Sequence, residues 1–248
     1  NHILEVDTMT VDTKPVIWDA PKNIKAYHTT RIGGFSRKHC QFSNMSNDVG
    51  DLQNCVKKNR NDIINSLQLP SEPNWMKQIH GSSIKKITKP LKNIVCDGSY
   101  TTSQGIVCAV LSADCLPILI CNSAGTFAGV VHVGWRGLEN GILKKFISKF
   151  PQPKNLLCWI GPSISPKHYL VREDVYKKLL KISPDIFIQV DKEHWSLDLA
   201  KAAKILLKSQ GVNKIFVNKM CTFENSNLYY SYRRQNNTGR IASLIWIE

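Results

Sequence analysis

Three apolar runs crowd the middle of the chain: Gly105 to Leu111, Pro117 to Cys121 and Thr126 to Val133. Each has the length of a strand and is nearly continuous rather than alternating, the pattern of strands covered on both faces. The turn signal Asn122-Ser123-Ala124-Gly125 joins the last two. A chain built around such strands needs further layers to cover them. Helical spacing predicts those layers over Asn54–Leu67, Glu139–Phe150, Arg172–Lys181 and Leu197–Ser209, the last stopped by Gly211. Lys25–Arg31, Trp75–Ile79, Leu156–Ile160, Lys214–Asn218, Leu228–Arg233 and Ile241–Ile247 read as further strands. With no repeat, linker or compositional break, the expected architecture is a single α/β domain over residues 1–248, a mixed central sheet flanked by helices.

The stretch Gly105 to Cys121 is interrupted by Ser112, Asp114 and Pro117 and is short for a bilayer crossing, so no membrane partner is expected. Asn1 to Thr10 carries acids and no apolar core of signal-peptide length, which predicts a cytoplasmic address. The net charge of +14 raises nucleic acid as a partner. Its source argues otherwise, because 25 Lys and 8 Arg are scattered with no basic stripe. Nucleic acid is not the expected partner. The scarce arginines are the informative cations, since a guanidinium fork suits carboxylate and phosphate. The eight cysteines contain no CxxC pair and are expected to be reduced.

Three reactive side chains stand where an apolar run gives way to a glycine or proline turn: His80 in Gln-Ile-His-Gly, Cys115 in Asp-Cys-Leu-Pro and His132 in His-Val-Gly-Trp-Arg-Gly. Strand ends are rigid yet open, so they hold side chains in fixed geometry at a cleft. Two imidazoles and a thiolate form a three-ligand set for zinc that leaves a fourth position open, the mark of a catalytic rather than structural ion. A second reading stays open beside it. Cys115 with either histidine is also a nucleophile and base, with Asp114 orienting the histidine, which describes a metal-free hydrolase or amidase. Read singly, each residue is also an ordinary packed or hydrogen-bonded side chain.

Glycines at 134, 137 and 141 surround Trp135 and Arg136 just before a helix, a turn that can present amides and a guanidinium to an anion. Arg31 beside Gly33 and Gly34 offers a similar group. Tyr229 to Arg234 alternates aromatic and polar residues as one wall of a pocket would, ending in Arg233 and Arg234.

Taken in order, YHTTRIGGFS at Tyr27–Ser36, QIHG at Gln78–Gly81, SADCLPILI at Ser112–Ile120, HVGWRGLENGI at His132–Ile142, GPSISPKHYLV at Gly161–Val171, and the SYRR and TGR groups resemble the laccase-domain family. This family is also called polyphenol oxidase or peptidoglycan editing factor, and its members are described as purine nucleoside phosphorylases. The resemblance runs nearly end to end. It implies a zinc-type site at His80, Cys115 and His132, phosphorolysis of adenosine, inosine or guanosine, and adenosine deamination. It also places the family's active-site arginine at Arg31. Within that scheme Arg31, Arg136 and Arg233 are the expected phosphate and substrate ligands, and Asp114 the proton shuttle. Leu170 stands where members often carry an acid and His168 at a variable position, so substrate contacts there are not carried over. A multicopper oxidase needs about ten histidines, largely in His-x-His pairs. This chain has 7 and no such pair, so copper is at most a single ion at the Cys–His–His group. A basic binding module for nucleic acid or a cell-wall precursor is the non-enzymatic alternative.

Overall fold

The structure is a computed structural model that describes residues 10–248. The leader-free reading of Asn1–Thr10 falls, up to residue 9, outside the described residues. Numbered along the chain, the strands form two six-stranded sheets and one small one. The first sheet runs, in spatial order, β1 (Thr13–Pro15), β2 (Ile24–Thr29), β15 (Ile241–Ile247), β7 (Cys108–Ser112), β3 (Asn74–Lys77) and β5 (Ile94–Val95). The second runs β14 (Lys214–Val217), β10 (Leu156–Ile160), β8 (Leu116–Asn122), β9 (Ala128–Val133), β6 (Gly98–Thr101) and β4 (Ile84–Lys86). Both are mixed: β3 pairs parallel with β7 and β5, whereas β8 and β9 form an antiparallel hairpin. The third sheet is β11 (Leu170–Val171), β13 (Trp195–Leu197) and β12 (Phe187–Gln189).

The apolar runs are continuous because the two large sheets stack face to face and each also carries helix on its outer face. Side chains alternate along a strand. In β7, Cys108 and Val110 therefore enter the layer between the sheets with Ile24, Leu119, Val130 and Ile245. Their neighbours Val107, Ala109 and Leu111 face α1 (Gln53–Ser66), where they meet Met45 and Ile63. In β8, Leu119 and Cys121 take the inner side, while Leu116, Ile118 and Ile120 pack outward. That outer cluster includes Leu143 and Phe146 of α3 (Ile142–Ile147), Val175 of α4 (Glu173–Leu179) and Ala203 and Leu207 of α5 (Leu199–Ser209). The order is helix, sheet, sheet, helices. No polar face is left on the central strands, so no polar alternation appears in their sequence.

Two expectations are corrected. The helix over Glu139–Phe150 is two short helices, α2 (Trp135–Glu139) and α3, because Gly141 takes a left-handed conformation (φ +71°) between them. Leu228–Arg233 is a series of turns rather than a strand. Its backbone groups are already engaged locally: Tyr229 N–H donates to the Asn225 carbonyl, and the Leu228 and Tyr229 carbonyls accept from Arg31 N–H and the Arg234 guanidinium. No helix among the described residues is long and apolar enough to cross a membrane.

Candidate active site

The chain passes from the first sheet to the second at Ala113-Asp114-Cys115, between the end of β7 and the start of β8. Cys115 therefore sits at the seam between the sheets. In the β8–β9 ladder Leu116 lies opposite Val133, which brings the residue before one beside the residue after the other. A Cβ added at Gly134 would lie 2.9 Å from Cys115 Sγ, so any side chain there would push the sulfur aside. His132 is the penultimate residue of β9, and His80 arrives from the other sheet, in the loop after β3. The donor atoms of His80, Cys115 and His132 all lie within 4.8 Å of one another. Burial is graded: His132 is buried, Cys115 partly so and His80 exposed. One side of the group thus opens to solvent, as an ion with a free coordination position requires. The two imidazoles meet edge to face, with centroids 4.8 Å apart.

Asp97, immediately before β6, is fully buried against this group. Its Oδ1 accepts from His132 Nδ1 and His80 N–H, each at 2.9 Å, and its Oδ2 accepts from the N–H groups of Gly81 (2.7 Å) and Ile79 (3.2 Å). Burial alone would raise this carboxyl, but His132 and the backbone donors outweigh it and hold the group below its ordinary value. Burial likewise pushes the Cys115 thiol up, yet the charge of His132 and hydrogen bonds from both imidazoles bring it down to about 6. Burial would lower His132, but Cys115 and Asp97 raise it to about 9. Cys115 and His132 thus each favour the charged form of the other. Asp97 escaped the sequence reading. Its only signal was an acid placed between the apolar Val95-Cys96 pair and a strand beginning at Gly98.

Asp114 is placed differently from expectation. The acid that meets a triad histidine is Asp97. Asp114 takes φ +94° and has both oxygens occupied, Oδ1 by Thr222 Oγ1–H (2.6 Å) and Oδ2 by Arg233 N–H (2.7 Å).

A cavity of about 520 Å³ opens on the triad. Arg136, Arg233 and Arg240 line it, each paired with an aromatic ring that also lines it. Arg136 lies 4.4 Å over Trp135, Arg233 5.0 Å over Tyr169 and Arg240 5.9 Å over Tyr232. Burial raises the Tyr169 hydroxyl, reinforced by Cys115, so it stays protonated at neutral pH. Arg31 does not line this cavity. Its guanidinium donates to the carbonyls of Gln41 and Ser226 and stacks on Tyr230, which ties the Gly33-Gly34 loop to the turns on either side of Tyr229. Arg240 is the cavity arginine that sequence reading left out of the site.

The donor set suits one zinc-type ion, since two imidazole nitrogens and a sulfur are its preferred ligands. Among the described residues this is the only group of three or more such donors brought together. A centre of several coppers does not fit these residues.

Residues 25–248 match the family described as multi-copper polyphenol oxidoreductase laccase. An Escherichia coli (strain K12) protein named purine nucleoside phosphorylase YfiH is 38% identical, covering 93% of this chain and 96% of its own length. A Haemophilus influenzae protein named purine nucleoside phosphorylase is 35% identical, covering 93% and 97%. Among solved structures, the Neisseria meningitidis protein NMB0706 superimposes with a TM-score of 0.91 at 33% identity, over 95% of this chain and 99% of that one. YlmD from Geobacillus stearothermophilus gives 0.88 at 28% identity, over 97% and 99%.

Proposed function

The chain belongs to the multi-copper polyphenol oxidoreductase laccase family, and from that premise we propose that it is a purine nucleoside phosphorylase, with adenosine deamination as a side activity. One observation carries the reading: a single cavity is lined both by a His–Cys–His group and by three arginines. An ion ligand set and an anion-binding set facing one space suit an anionic nucleophile attacking a neutral substrate whose leaving group needs an electrophile. The substrates are a purine nucleoside and phosphate, residues 1–248 act as one domain, and the setting is the cytoplasm.

In phosphorolysis a hydrogenphosphate oxygen bonds to the anomeric carbon as the bond from that carbon to the purine nitrogen breaks, and the purine leaves as the neutral base with the proton the phosphate gives up. Arg136, Arg233 and Arg240 hold and aim the phosphate. Asp114 positions this set by fixing the Arg233 backbone. Its engaged oxygens suit that role better than the proton shuttling expected from sequence. Tyr169 offers an O–H donor to the departing purine, and the rings of Trp135 and Tyr232 supply flat surfaces along the same cavity for its base. Arg31 supports the fold of the N-terminal loop rather than the phosphate. His80, Cys115 and His132 would hold zinc, which supplies Lewis acidity at its open position.

The test is phosphate-dependent release of base from adenosine, inosine and guanosine by metal-quantified protein, with His80→Ala, Cys115→Ala and His132→Ala measured singly. Each variant is expected to lose most of its activity. Undiminished activity in all three overturns the proposal. The alignment of Asp97, His132 and Cys115 also favours a second reading, a thiol hydrolase working without metal. Near-stoichiometric zinc in active protein selects the phosphorylase; metal-free activity abolished by thiol alkylation selects the hydrolase.

A further inference from the structure

We propose that Asp97 is the positioning residue for both imidazoles of the triad, setting the tautomer of one and the backbone conformation of the other. The inference rests on the metal reading above. Both Asp97 oxygens already accept backbone N–H groups, so the carboxylate is the acceptor in the 2.9 Å contact with His132, which places a proton on Nδ1 and leaves the Nε2 lone pair for an ion. The same two residues are also joined through their main chains, His132 N–H donating to the Asp97 carbonyl at 2.7 Å. The imidazole is thereby held from both ends.

His80 is set by other means. It takes φ +58°, a left-handed conformation that residues with a Cβ adopt at a cost. The N–H groups of Ile79, His80 and Gly81 all converge on the two Asp97 oxygens. Three successive amides pointing at one anion define the turn that turns the His80 side chain toward Cys115. His80 leaves the first sheet and His132 belongs to the second, so one buried carboxylate aligns ligands supplied by both. Asparagine has nearly the same shape, but its NH2 would face amide donors that need an acceptor. Asp97→Asn therefore removes the alignment while adding no bulk.

Zinc affinity of Asp97→Asn, measured against a competing chelator, is expected to fall about 10- to 100-fold, the usual effect of losing a histidine's carboxylate partner. In cobalt-loaded protein the thiolate-to-metal absorption band should change as well. In zinc-loaded wild-type protein, 15N NMR should show His132 coordinating through Nε2 with its proton on Nδ1, a result that does not depend on the variant folding. Wild-type affinity and an unchanged cobalt band in folded Asp97→Asn would overturn the inference, as would His132 coordination through Nδ1. A wild-type chain that takes up no zinc instead overturns the metal reading and this inference with it, and is seen before any variant is compared.

Discussion

The two ends of strand β8 carry the same residue type in opposite chemical states. Cys121, near the end of the strand, is fully buried among apolar side chains between the sheets, and that burial pushes its thiol up to about 12. Cys115, one residue before the strand begins, lies beside two imidazoles that bring its thiol down to about 6. Cys108 and Cys158 follow Cys121, both raised by burial. Position in the fold makes a cysteine buried. Only the partners supplied at the seam make one reactive.

The largest test of this contrast removes each sulfur in turn. Cys115→Ala is expected to lower kcat/KM for phosphorolysis more than about 100-fold, beyond the usual effect of an outer partner, and to abolish zinc uptake. Cys121→Ala should leave both unchanged while lowering stability by about 1 kcal/mol through the small cavity it creates, read from thermal melts. Loss of activity in Cys121→Ala would erase the distinction.

The next effect is in pH. In metal-free protein Cys115 should be alkylated by iodoacetamide at pH 7 about three- to sixfold faster than an ordinary thiol, the larger thiolate fraction being largely offset by lower nucleophilicity. The linkage signs follow from the folded values. The depressed Cys115 contributes stability that is full above its ordinary value of 9.0 and lost as pH falls through about 6. The raised His132 contributes stability that is full below 6.5 and lost as pH rises through about 9. The pair therefore stabilises the metal-free fold between about 6 and about 9. Alkylation that dies away below pH 8 would contradict it.

A comparable contrast divides the arginines. Arg136→Ala should raise the KM for phosphate about tenfold, the worth of one charged hydrogen bond, and Arg31→Ala should leave that KM near wild type. Steady-state kinetics in phosphate decide this, and the reverse order would return Arg31 to the site. The smallest effect is expected at Gly134. Gly134→Ala places a methyl group 2.9 Å from Cys115 Sγ and should weaken zinc binding by a few-fold, measured by chelator competition, with little change in melting temperature.

Much of this organisation was legible in the chain. The continuous apolar runs announced doubly covered strands, and His80, Cys115 and His132 stood out because each interrupts or ends such a run. What escaped notice shares one physical cause. Asp97 works through backbone amides of a loop distant in sequence, and no local pattern encodes that. Arg31 and Arg240 both lie near glycine and both give their guanidinium to loop carbonyls, yet only Arg240 lines the cavity. The Tyr229–Arg234 segment alternates as a strand does, but its hydrogen bonds were already taken by turns and by Arg234. The glycine at position 141 marked a break that helical spacing alone read through.

The crossing at Ala113-Asp114-Cys115 has a mechanical consequence. His80 is carried by one sheet and His132 by the other, with Cys115 on the segment that passes between them, so the three donors meet only while the sheets stay stacked. An ion held there would act as a rivet through the sandwich, and its release would be expected to track any slippage of one layer against the other.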